Sequence, residues 1–224
     1  MEITPDNIIY WQREWLTLNA TIVFTWVVMA ILVLGSWLVT RNLSVKPKLS
    51  RWQNALEIIV ETINNQIRDA SGREPTQFLP FIGTLFLFIC LSNILTIVPG
   101  YQPPTGSLST TAALALCVFV AVPWFGIRDR GLIGYLKQYL QPTPFMLPFN
   151  IIGEISRIIS LAIRLFGNIM SGSLLVAILL SLVPLFFPVV MQAFGIVVGV
   201  IQAYVFTILS MVYIASGMRA QRKT

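Results

Sequence analysis

The sequence is short of charge and has no histidine. Asp, Glu, Lys and Arg make up only 11% of its 224 residues, less than half of the roughly 25% usual in a soluble domain. So little charge cannot cover a water-facing surface, which excludes a freestanding soluble domain. The absence of histidine, with only Cys90 and Cys117 to supply sulfur, removes the usual soft ligands of a metal site. Both cysteines lie inside apolar runs, where thiols serve as small hydrophobes. No Walker-type phosphate loop, catalytic triad or metal-ligand cluster is present, so no catalytic residue, metal or cofactor is expected in the chain itself. The first residues, MEITPDNIIYWQREW, lack a basic n-region, which fits neither a signal peptide nor an Arg-rich transit peptide.

What the sequence does have is apolar length. It is 56% hydrophobic with a mean hydropathy of +0.78, and its apolar runs show no period-two alternation, which favours helices over a barrel. The expected fold is an all-α integral membrane protein, a single membrane domain over 1–224. Five spans are predicted: 18–40, 77–98, 109–127, 149–180 and 186–218. The last two exceed 30 residues each, roughly 45 Å of helix against a hydrocarbon core of roughly 30 Å. Helices that long must tilt strongly, kink or run partly along the membrane plane. Residues 49–71 differ in kind: Trp52, Leu56, Ile59, Ile63 and Ile67 recur at helical spacing, with Glu57, Glu61, Asn64, Asn65 and Arg68 between them. That pattern predicts an amphipathic helix on the cytoplasmic surface or against a partner, with packing inside this chain as the plainer alternative.

The net charge of +6 reflects topology rather than nucleic acid. Arg41, Lys46, Lys48 and Arg51 follow the first span, Arg128, Arg130 and Lys137 follow the third, and Arg219, Arg222 and Lys223 close the chain. The positive-inside rule therefore puts the N-terminus outside and the C-terminus in the cytoplasm.

Polar residues recur inside two spans. Arg157, Ser160, Arg164, Asn168 and Ser171 follow one another by three or four residues in 149–180, a single helix face. In 186–218, Gln192, Gly195, Gly199, Gln202, Phe206, Ser210 and Tyr213 share about a quarter of the circumference. Amides and small residues are common helix–helix glue and need no special role. Arg164 is harder to place, because a central arginine costs about 2.5–3.5 kcal/mol on insertion scales. After Asp129 the chain's only acid is Glu154. Ten residues turn a helix by about 1000°, some 80° short of three turns, and raise it roughly 15 Å, so the two cannot pair along one helix. Arg157 is the nearer partner for Glu154. The preferred reading is that the carboxylate facing Arg164 belongs to another protein.

SLAIRLFGN at 160–168 resembles subunit a of rotary ATP synthases, the stator through which ions reach the ring of c subunits. SNILTIVPG at 92–100, PPTGSLSTTAALAL at 103–116, GEISRIISLAIRLFGN at 153–168 and IQAYVFTILSMVYIA at 201–215 extend the resemblance over about 50–215. It implies that Arg164 faces the c-ring carboxylate, with Asn168 and Gln202 beside it. It also implies two offset half-channels, peripheral-stalk partners of b type and a bacterial-type inner membrane. Candidate lining residues are Asn93, Ser107 and Ser109 on one side of the sequence, and Glu154, Ser171, Ser173, Gln192, Gly195 and Tyr213 on the other. Four positions depart from proton-driven members: Ser173, Gly195 and Ser107 stand where an acid or histidine is usual, and Ser109 where asparagine is. Hydroxyl, amide and carbonyl oxygens remain, a lining suited to hydrated sodium, and the pattern resembles the N-type subfamily. Sodium is the favoured ion, with protons carried on water chains as the alternative. Two other classes remain: a secondary transporter or channel, for which no internal repeat is seen, and a membrane anchor that would tolerate loss of Arg164.

Overall fold

The computed structural model describes residues 5–7, 9–13, 16–41, 78–98, 100–140, 147–182 and 187–219, with single positions at 57, 58, 60–62, 64, 65, 68 and 145. It is nearly all helical. Five helices are long and apolar enough to cross a membrane: α1 (Ala20–Thr40), α2 (Leu79–Ile94), α3 (Leu108–Leu140), α4 (Leu147–Leu182) and α5 (Phe187–Arg219). An intrahelical hydrogen bond for each interior backbone group is what lets such segments lie in lipid. The chain is a multi-pass membrane protein.

The breaks have local causes. Pro80 stands in the first turn of α2, where its missing N–H costs nothing. A 3-10 turn, Leu95–Ile97, ends that helix, and a second, Pro104–Gly106, precedes α3. Gly131 interrupts α3 with φ 77° and ψ 163°, a backbone region open essentially to glycine alone. The helix thus turns at the glycine of the RDRG signal and continues to Leu140.

α5 is central, packing against α2, α3 and α4, while α4 packs on α3 and α5. One buried cluster joins Leu85 and Ile89 of α2, Ala115 and Val118 of α3, Leu161, Ala162 and Leu165 of α4, and Ala203 and Phe206 of α5. A second gathers Phe78, Ile82, Ala121, Val122, Met211 and Ile214, with the Phe78 and Phe125 rings edge-on at 5.0 Å. α1 stands apart, presenting Trp26, Val33, Leu34 and Leu38 outward, as a helix apolar on all sides does in lipid.

The N-terminal stretch contains structure that hydropathy does not reveal. A 3-10 turn at Pro5–Asn7 leads into antiparallel strands β1 (Ile9–Arg13) and β2 (Leu16–Asn19), paired Trp11 with Leu18 and Gln12 with Thr17. The all-α fold class holds, with this one short hairpin lying outside the five long apolar helices. In the amphipathic segment, Glu57, Ile58, Val60, Glu61, Thr62, Asn64, Asn65 and Arg68 are helical. The apolar positions Trp52, Leu56, Ile59, Ile63 and Ile67 lie outside the described residues.

Candidate functional site

The polar side of α4 faces outward. Leu161, Ala162 and Leu165 enter the core, while Arg157, Ser160, Arg164 and Ser171 are exposed and Asn168 is half-buried. Flanked by core residues on its own helix, Arg164 stands at mid-bundle on a face the other described residues leave uncovered. It makes no hydrogen bond or ion pair among them. Ser171 and Ser173 return their hydroxyls to the carbonyls of Asn168 (3.1 Å) and Met170 (2.9 Å), and Ser173 is exposed.

The stripe on α5 divides in two. Gln192 and Gly195 are exposed, and Gln192 Nε2 donates to the Thr96 carbonyl at 2.6 Å. Further along, Gly199, Gln202, Phe206 and Ser210 are buried and Tyr213 is half-buried. Gln202 adjoins Ala203, and Arg164 adjoins Leu165; both neighbours belong to one core cluster. Arg164 and Gln202 therefore each flank a residue of that shared cluster. Gln202 is 8% exposed and its Nε2 is buried without a hydrogen-bond partner. A donor stranded that way costs about 1–3 kcal/mol, which a water or an incoming polar group would offset.

Most of the remaining candidates meet at the end of the bundle that carries the hairpin. Asn93, 2% exposed, donates from Nδ2 to the Gly199 carbonyl at 2.8 Å and accepts at Oδ1 from Thr105 Oγ1 at 3.1 Å. Two residues on, Ser107 is fully buried; it lies 2.6 Å from Ser109 Oγ and donates to Asp6 Oδ2 at 2.7 Å. Asp6 Oδ1 accepts in turn from Thr21 Oγ1 at 2.7 Å. Gly106 lets this loop approach α4: a Cβ there would fall 3.3 Å from Ile169, the residue after Asn168. Burial raises the Tyr101 phenol above its ordinary range, so that hydroxyl stays protonated near neutrality.

Glu154 lies at the opposite end. With Arg157, Tyr213, Val118 and Leu161 it lines a cavity of ≈ 10 Å³, room for about one water. The expected Glu154–Arg157 pairing is not what forms: the Arg157 guanidinium sits 5.4 Å from the centre of the Tyr213 ring, a cation–π distance. The two polar ends are separated by the apolar cluster around Leu161, Leu165 and Phe206.

Sequence reasoning missed Asp6, Thr21 and Thr105. An isolated aspartate 101 residues from its partner Ser107 carries no periodic signal, and the hydroxyls are ordinary in turns and caps. A sequence model of a known family, described as ATP synthase A chain, matches residues 22–215. The chain belongs to that family. The match runs from the third residue of α1 to within four residues of the end of α5. Among similar proteins, one from Crocosphaera subtropica named ATP synthase subunit a 1 is 74% identical over 223 residues, covering 100% of this chain and 97% of its own length. ATP synthase subunit a of Albidiferax ferrireducens is 58% identical over 99% of this chain and 96% of its own. ATP synthase subunit a 1 of Chlorobaculum parvum is 55% identical over 100% and 99%. Within the ATP synthase A chain family, Arg164, Asn168, Gln202, Asn93 and Ser107 all fall in the matched stretch, whereas Asp6 and Thr21 precede it.

Proposed function

We propose that this chain is the ion-conducting stator of a rotary ATP synthase, with Arg164 set against the carboxylates of a turning c-subunit ring. One observation carries the reading: an arginine on the exposed face of α4 that makes no hydrogen bond or ion pair among the described residues, beside the apolar cluster that separates two polar regions. An ion reaching the seam from either end meets apolar packing, so it must leave the chain for a neighbour. A mobile carboxylate that takes up the ion on one side of Arg164 and releases it on the other completes the route. The guanidinium pairs with the carboxylate as it passes and excludes an ion from crossing directly.

The hairpin end, through Asn93, Ser107 and Ser109, forms the outer half-channel, and the Glu154–Tyr213 end forms the cytoplasmic one. This orientation follows the Lys and Arg residues beyond the first, third and fifth spans. The membrane is a bacterial-type plasma membrane, and peripheral-stalk subunits of b type hold the chain still. The favoured ion is Na+. Asn93, Thr105, Ser107 and Ser109 offer oxygen ligands, which suits a hard cation.

The test uses membrane vesicles holding the intact complex. Arg164→Ala should abolish ATP-driven ion uptake while the assembled complex is still recovered. Uptake at the original rate would reduce the chain to an anchor. Omitting sodium should stop uptake by the unaltered complex, and pumping indifferent to sodium would assign the ion as H+.

A further inference from the structure

The half-channel reading leaves one charged group unused. Asp6 precedes the membrane helices and the family-matched region, yet its carboxylate is seated in the bundle. Both oxygens are engaged by hydroxyls, Oδ1 by Thr21 and Oδ2 by Ser107, each at 2.7 Å. Ser107 in turn contacts Ser109. Pro5, the residue before, lies 3.9 Å from the position of a Cβ on Gly106. The turn at Pro5–Asn7 is therefore packed on the loop that leads to Asn93, Gly199 and Gln202. The hairpin that follows returns the chain to Thr21 at the start of α1, so sequence-distant Asp6 and Ser107 meet beside their shared neighbour.

Two features distinguish this from a structural tie. A tie needs only a hydroxyl acceptor, and a neutral amide would serve. A carboxylate costs more to bury than an amide, and Asp6 is half-buried with no ion pair among the described residues. Moreover, a second polar network begins two residues away in the same loop: Thr105 to Asn93, Asn93 to the Gly199 carbonyl, and one turn later the unpartnered Gln202 Nε2. A single negative charge beside these oxygens raises the local concentration of cations there.

We infer that Asp6 is the cation-recruiting residue of the outer half-channel, a binding site for one dehydrating monovalent cation, Na+ or hydronium, completed by Thr21, Ser107 and Ser109. The inference rests on the stator reading. Its ligand set is one carboxylate and three hydroxyl oxygens from three separate parts of the chain: the N-terminal turn, α1, and the junction of the preceding loop with the first turn of α3. The hydroxyls now donating to Asp6 would rotate their lone pairs toward the ion when it enters.

The experiment uses the intact complex in vesicles, with ion flux driven by a membrane potential inward through the outer side. The initial rate is measured against Na+ concentration at fixed pH, and against pH without Na+. Asp6→Asn keeps size and one acceptor but removes the charge. It should raise the half-saturating cation concentration at least roughly tenfold, the lower end of what charge focusing contributes, while the saturated rate changes little. The shift will appear in the Na+ series if sodium is the ion and in the pH series if hydronium is. Asp6→Glu should restore most of the affinity. So should the double variant Asp6→Asn with Ser107→Asp, which moves the charge across the contact. An unchanged half-saturation in Asp6→Asn would overturn the inference. So would loss of assembled complex, or a lower maximal rate that Asp6→Glu and the relocated charge do not rescue; each makes Asp6 a structural pin. Flux in all of these variants must still vanish with Arg164→Ala, so failure here is distinct from failure of the stator assignment.

Discussion

Replacing Gly199 with alanine tests the packing on which the α2–α5 contact depends. A Cβ at 199 would stand 2.9 Å from Asn93 Cβ, 3.1 Å from Cγ and 3.2 Å from Nδ2. Real Cβ atoms do not come so close, so something must yield. Asn93 cannot swing aside freely, because its amide is held by the Gly199 carbonyl and by Thr105. Either α2 and α5 move apart, at an overpacking cost of about 1–3 kcal/mol, or Asn93 rotates and its hydrogen bonds are lost. Interhelical side-chain hydrogen bonds in membranes average about 0.6 kcal/mol each, so either route costs on the order of 1–3 kcal/mol. The assay is thermal denaturation of the purified complex, following how much of this chain stays in solution. Gly195→Ala is the control: nothing lies within 4 Å of a Cβ there, and alanine gains up to about 1 kcal/mol of helix propensity. Adding Asn93→Ala to Gly199→Ala should recover part of the loss, since the two sites touch and do not add. The reasoning fails if Gly199→Ala denatures with Gly195→Ala, or if removing Asn93 gives no relief.

Two further substitutions probe other contacts. Thr105→Val keeps the shape but leaves buried Asn93 Oδ1 without its donor; a loss of about 1–3 kcal/mol is expected, and Thr105→Ser should avoid it in the same denaturation assay. Gly131→Ala meets no atom within 4 Å, so its expected cost of about 1–3 kcal/mol comes from the backbone alone. It should be read as faster proteolysis next to residue 131, with Gly83→Ala in α2, where a Cβ likewise meets no atom within 4 Å, for comparison.

Much of the fold was legible because lipid imposes a simple rule. A segment that crosses must be helical and apolar, and five such segments stand out in the sequence. The outward stripe on α4 was legible for the same reason: spacing alone puts Arg157, Ser160, Arg164, Asn168 and Ser171 on one side. Which side meets the core was not, because that depends on the fit of Leu161 and Leu165 against Ala203 and Phe206. Pairs such as Asp6 with Ser107, or Asn93 with Gly199, join residues 101 and 106 apart, and no local preference encodes them. The hairpin at 9–19 was hidden because its strands are short and no turn glycine marks it. Arg157 escaped its expected acid because an aromatic face, Tyr213, lies within reach.

Gly199 and Asn93 also give the bundle a mechanical property. Two smooth helices pressed along their axes can creep past one another in small steps. Here the notch at Gly199 is flanked along the same face by Ile196 and Gln202, three residues to either side. An axial slip of one residue, about 1.5 Å, would begin to carry Asn93 out of the notch and against bulkier neighbours. The pair acts as a detent: sideways drag on the exposed faces of α4 and α5 is resisted by shape, and any yielding comes as a jump between registers instead of a gradual drift.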